Sequence, residues 1–126
     1  MVTIKQGNLL GAKEKVIAHQ VNCQGAAAGL AAAIFRKWPY ARKDYTDLTT
    51  RLPARTLLGM AQFTGQQKDG HIICNLYGQY EAGAAYNPEK LEQALTQLGN
   101  TARIMEWSVA LPWKLSCVIY QREGDL

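Results

Sequence analysis

Between Val16 and Phe35 the chain changes character twice. Val16-Ile17-Ala18 opens an apolar run whose β-branched residues suit a buried strand. Leu30-Ala31-Ala32-Ala33-Ile34-Phe35 is Ala-rich and has high helix propensity. Asn22, Gln24, Gly25 and Gly29 lie between the two, among alanines. So short a passage from strand to helix leaves backbone N–H groups exposed at the helix start, where the dipole favours negative charge. That geometry can hold a phosphate or diphosphate. A plainer reading stands beside it: glycine serves wherever the backbone needs positive φ, and Ala-rich helix starts suit close packing on a sheet. The stretch is neither a P-loop nor a dinucleotide fingerprint, since no Gly-Lys-Ser/Thr follows and Gly-x-Gly-x-x-Gly is absent.

The rest of the chain is read around this turn. Val2 to Lys5 reads as a short strand and Gln6-Gly7-Asn8 as its turn. Val16 to Val21 is the second strand, and the helix after the small-residue loop runs to about Lys37 with Leu30, Ile34 and Phe35 on one face. Trp38-Pro39 breaks it, and Tyr40 to Thr49 resumes as helix. Leu57 to Phe63 and His71 to Leu76, joined by the Lys68-Asp69-Gly70 turn, read as a hairpin. Tyr77 to Gly83 reads as a loop. Asn87-Pro88-Glu89 has the cap, first-turn proline and acid of a helix start. Leu91, Leu95 and Leu98 form its stripe, and Gly99-Asn100 is its expected end. Ile104 to Leu111 reads as a strand, and Val118 to Tyr120 is apolar before a polar tail. Strands and helices in this order, with one antiparallel pair, predict an α/β protein whose mixed sheet is covered by helices.

A length of 126 residues suits one domain over 1–126. With 48% hydrophobic and 19% charged residues the chain is not a disordered one. The net charge of +4 is spread out rather than clustered, which helps to attract anions without calling for nucleic acid. Cys23, Cys74 and Cys117 form no Cys-x-x-Cys pair, and such an odd, sparse set fits a reducing cytosol. His19 and His71 fall in no ligand-spaced cluster with them, so neither a metal nor a cofactor is expected. The N-terminus lacks a basic-then-apolar leader, and no apolar run approaches the roughly 20 residues of a membrane span. A cytoplasmic protein without membrane contact is the expectation.

His19-Gln20-Val21-Asn22-Cys23-Gln24-Gly25, the small-residue turn, the Ala-rich helix, and Trp38-Pro39 and Asp44-Tyr45 behind it resemble the macro domain family. Gly7-Asn8-Leu9-Leu10, Asn75-Leu76-Tyr77-Gly78-Gln79 and Leu111-Pro112-Trp113-Lys114 support the resemblance, which runs from Val2 to about Cys117. The pattern is nearest to the branch holding the phosphatases of ADP-ribose 1″-phosphate and the enzymes that remove ADP-ribose from acidic side chains. It implies a three-layer α/β/α fold and a site for ADP-ribose, free or carried on a protein.

The resemblance also implies roles. Asn8 stands where macro domains usually carry an adenine-binding Asp; otherwise it serves a tight turn. Asn22 resembles the Asn that holds the distal ribose, although internal loop bonding is open to it as well. Gln24, Gly25, Ala26, Ala27, Ala28, Gly29 and Leu30 resemble the diphosphate-cradling loop. Relatives have Gly-rich or Met-Gly turns where this chain has three alanines, so Gly25 and Gly29 must absorb any left-handed backbone. His19 matches a functional His of some phosphatases and is the one candidate acid–base group. Tyr77, Gly78 and Gln79 resemble a loop flanking the site.

The end of the chain departs from the pattern. Relatives carry a Gly-x-Cys-Gly type loop and a closing helix where this chain has Leu115 to Leu126, so the usual C-terminal helix is expected to be missing. The Asp and Lys of the ester hydrolases have no match in place. A missing helix would uncover apolar surface and favour self-association. Three functions follow: a reader of ADP-ribose without turnover, a hydrolase using water, or a degenerate domain that acts only as an interaction module.

Overall fold

Seven consecutive buried residues make Val16–Asn22 the central strand, β1. The computed structural model describes residues 7–65, 70–83 and 85–112. β1 is followed by helix α1 at Gly29–Lys37 and helix α2 at Pro39–Arg51. Trp38 separates the two, and Pro39 opens α2, where a missing N–H costs nothing. A short helix, α3 (Ala54–Leu57), leads to strands β2 (Ala61–Thr64) and β3 (Ile72–Gln79). Helix α4 (Pro88–Met105) and strand β4 (Val109–Ala110) complete the described part. A single 3-10 turn at Leu9–Gly11 precedes β1.

The sheet order is β2-β3-β1-β4. β1 pairs in parallel with β3 and β4, and β2 pairs antiparallel with β3, so the sheet is mixed and open as expected. Alternation along the strands divides the core in two. Ile17, Val21, Ile73 and Tyr77 pack with Ile34, Phe35, Trp38, Ala41 and Tyr45 of α1 and α2. Val16, Ala18, Ile72, Cys74 and Leu76 pack with Leu91, Ala94 and Leu98 of α4. Helices therefore cover both faces, and the layers are α/β/α.

Three expectations change. Leu57 to Phe63 is not strand throughout. Pro53 starts the α3 turn, Gly59 reverses the chain at φ +99°, and pairing with β3 begins only at Ala61. Tyr77, Gly78 and Gln79 belong to β3 rather than to a loop, because pairing with β1 continues to Asn22 opposite Gln79. Val21 pairs with Tyr77 and Asn22 with Gln79, which leaves Gly78 as the extra residue of a bulge. Finally, α4 runs through Gly99 to Met105 and ends at Glu106, which adopts the left-handed conformation at φ +59°. Its buried stripe of Leu91, Ala94, Leu98 and Ala102 extends past the glycine, and that burial outweighs the ~1 kcal/mol a helical glycine costs. Ile104 and Met105 thus belong to the helix, and β4 is short. The expected strands at Val2 to Lys5 and Val118 to Tyr120, the turn at Lys68-Asp69, and the absence of a C-terminal helix, with the self-association it suggested, lie outside the described residues.

Candidate functional site

The turn after β1 is built around one amide. Asn22 Oδ1 accepts from the backbone N–H of Gln24 at 2.9 Å and of Ala26 at 3.3 Å. Asn22 Nδ2 donates to Ala26 O at 2.6 Å. From below, the Tyr45 hydroxyl shares its one hydrogen between Asn22 O at 2.8 Å and Oδ1 at 3.0 Å. Burial pushes the Tyr45 hydroxyl well above its usual range, so it stays protonated and able to donate. The turn is also tied sideways: Cys23 N donates to Gln79 O at 3.0 Å, and Gln24 Oε1 accepts from Ala82 N at 3.2 Å. Internal bonding is therefore what the Asn22 side chain does here.

Gly25 and Gly29 take φ +79° and +57°, as the three alanines between them require. A Cβ on Gly25 would meet Thr49 Oγ1 at 2.9 Å. Gln24 to Leu30 are all exposed. Ala28 is the N-cap of α1 and has no side-chain acceptor, so the first-turn N–H groups are left for solvent or a ligand.

Under this turn lies a cavity of about 110 Å³. Its walls come from Gln20, Val21 and Asn22 of β1, Ala26 and Ala28 of the turn, Ala31 of α1, Tyr45 of α2, and Gln79, Ala82 and Gly83 beyond β3. No residue of this wall carries a charge. Gln20 is 8% exposed, and neither its Nε2 nor its Oε1 has a hydrogen-bond partner. A wider, open depression of about 470 Å³ lies between Leu58, Tyr80 and the start of α4, and Asn87 and Glu89 on its rim are exposed.

Of the residues singled out in the sequence, Asn22, Ala26, Ala28 and Gln79 line the cavity. Gln24, Gly25, Ala27, Gly29 and Leu30 form the exposed turn around it. Asn8 does not line it: its Oδ1 accepts from Leu10 N at 3.0 Å and caps the 3-10 turn. Tyr77 is fully buried and donates its hydroxyl to Gln62 Oε1 at 2.7 Å, and Gly78 is buried at the bulge. Gln20, Val21, Ala31, Tyr45, Ala82 and Gly83 were not singled out for the site. Gln20, Val21 and Tyr45 stood only in the motif, without a role of their own.

His19 does not line the cavity either. It points to the α1 and α2 face, 1% exposed, with its ring edge-on to Phe35 at 5.3 Å between centroids. Its Nε2 donates to Asn75 Oδ1 at 2.7 Å, Asn75 Nδ2 donates to Gln62 Oε1 at 3.1 Å, and Gln62 Nε2 donates to Asp44 O at 3.0 Å. These three side chains form a polar rung across β1, β3 and β2, since His19 stands opposite Asn75 and Asn75 opposite Gln62. Burial lowers the His19 pKa to about 4 against the raising effect of the Asn75 bond, so the ring is neutral at pH 7. Nδ1 is left without a partner. Burial pushes the Cys23 thiol up to about 11 and the Cys74 thiol higher still, so neither is a thiolate at pH 7.

No protein-family model matches the chain, and no curated protein matches it. Solved structures do match. The macrodomain of Mycobacterium tuberculosis DarG aligns with a TM-score of 0.76 at 24% identity, over 88% of this chain and 74% of that one. A macrodomain protein from Streptomyces coelicolor aligns with a TM-score of 0.70 at 26% identity, over 91% and 82%. This chain has the macrodomain fold. Thermosipho africanus DarTG, solved in complex with ADP-ribose, also aligns, with a TM-score of 0.75 at 14% identity over 94% of this chain and 34% of that one. Identities this low carry the macrodomain fold and not a branch within it. Among the described residues no helix is long and apolar enough to cross a membrane, and no group of three metal-ligating side chains gathers.

Proposed function

We propose that this chain binds ADP-ribose, free or carried on a protein, at the turn from Asn22 to Leu30. The uncapped start of α1 carries the proposal. Gly29, Leu30 and Ala31 have first-turn N–H groups without a side-chain acceptor, next to a neutral cavity, at the end of a strand in a macrodomain fold. Donors so placed suit the diphosphate of the ligand. The complex named for the Thermosipho africanus structure gives the ligand class.

Binding without turnover is the reading favoured over hydrolysis. Proton transfer needs a group near neutral pKa within reach of the substrate. His19 is neutral, buried and bonded to Asn75 on the far side of the sheet from Gln20, and the Cys23 thiol is held protonated. Calorimetric titration with ADP-ribose tests the binding: a saturable heat is expected, and its absence at millimolar ligand, with no thermal shift, overturns the proposal. Incubation with ADP-ribosylated protein and with ADP-ribose 1″-phosphate is expected to leave both intact. Cleavage of either above the buffer rate would restore the hydrolase.

A further inference from the structure

Residues 80–83 form a strap along one side of the cavity, facing the turn after β1. All four are exposed, and none packs in either half of the core. Ala82 and Gly83 line the cavity from the strap, and Ala26 and Ala28 line it from the turn. Where the strap leaves β3, Cys23 N is shared between Gln79 O at 3.0 Å and Tyr80 O at 3.3 Å. Farther along, Gln24 of the turn reaches across, and its Oε1 accepts from Ala82 N at 3.2 Å. That bond lies at the long end of the usual range and is open to water, so little is lost when it breaks. Gly83 turns the strap at φ +79°. Tyr80 and Ala85 border the open depression of about 470 Å³, so the strap has free space beside it.

We infer that Gln24 is a clasp: in the free protein it holds the strap against the turn, and a ligand engages the turn only after the clasp lets go. This rests on the binding reading above and adds a control on it. Small-ligand sites enclose roughly 300–1,000 Å³, whereas the space between turn and strap is about 110 Å³. A nucleotide-sized ligand that uses the turn therefore needs turn and strap to part. Parting breaks the bond from Ala82 N to Gln24 Oε1. A protein that is competent only when parted binds more weakly in proportion to the time it spends closed. The sign of the effect sets this role apart from a contact. Removing a side chain that holds the ligand weakens binding; removing one that holds the site shut tightens it.

The test titrates ADP-ribose by calorimetry into the wild-type chain, Gln24→Ala and Gln24→Glu, and follows exchange of the Ala82 amide hydrogen in the free proteins by NMR. Gln24 is exposed, so neither change disturbs the core. Gln24→Ala is expected to bind about two- to tenfold tighter than the wild type, the range set by one net hydrogen bond. Its Ala82 amide is expected to exchange faster, because the acceptor is gone. Gln24→Glu keeps an acceptor for Ala82 N and is expected to bind no tighter than the wild type. Unaltered or weaker binding by Gln24→Ala overturns the inference and leaves the binding reading standing; weaker binding makes Gln24 a ligand contact instead. Equal tightening in Gln24→Glu, or Ala82 exchange that is the same in Gln24→Ala and the wild type, overturns it as well. Binding by Gln24→Ala alone supports the clasp, and no binding by any of the three overturns both readings.

Discussion

His19 and Gln20 are neighbours on β1 and face opposite layers, and the fold treats them in opposite ways. On the α1 and α2 side, His19 meets Asn75 and Gln62 in one rung, each holding the next. On the other side the Gln20 amide lies against the Gly78 bulge and Leu91 of α4, with neither atom hydrogen-bonded. In the first region the three side chains are bonded in series, with His19 Nδ1 left over. The second, with the uncapped start of α1 above it, has donors and acceptors left over. A side chain's chemistry therefore says less about function than whether its partners lie inside the protein.

The largest effect expected belongs to the first region. His19 has a pKa near 4 in the fold and 6.5 as its ordinary value. Below pH 6.5 the unfolded chain takes up a proton that the folded chain refuses, so stability present above that pH is lost as it falls toward 4. The loss is roughly 3 kcal/mol. Urea midpoints between pH 7 and 4.5 should fall steeply in the wild type and less in His19→Gln, which keeps an amide for Asn75 but does not titrate. Parallel pH profiles would mean that the ring is not held neutral by the sheet.

The second region should respond in two currencies, stability and affinity. Asn22→Ala removes the acceptor of two backbone N–H groups and a partner of Tyr45. A stability loss of about 2 kcal/mol is expected in denaturant titrations, with weakened ADP-ribose binding as the turn loosens. Unchanged stability would refute Asn22 as the brace. Gly25→Ala combines a left-handed backbone with a contact on Thr49 and should cost about 1–2 kcal/mol by the same measurement. Ala28→Asp should do the reverse: as an N-cap it stabilises the free protein by about 1 kcal/mol, while its charge opposes a diphosphate at the same N–H groups. A higher melting temperature together with tighter ADP-ribose binding would remove the helix start from the site.

Signals within a few residues were enough to read much of this chain from its sequence. The β-branched run of β1, the left-handed roles of Gly25 and Gly29, the break at Trp38-Pro39, and the cap of α4 by Asn87 all depend on neighbours along the chain. The mixed sheet followed from their order, because alternating strands and helices leave few ways to cover two faces. Tertiary structure alone decided the strand register, which set His19 beside Asn75 and Asn75 beside Gln62. It carried α4 past Gly99, where the burial of Ala102 overrode a local stop signal. It also brought Gly78 under Gln20, making room for an amide with no partner. Pairing between strands distant in sequence depends on the whole core packing at once, and no stretch of residues carries that information by itself.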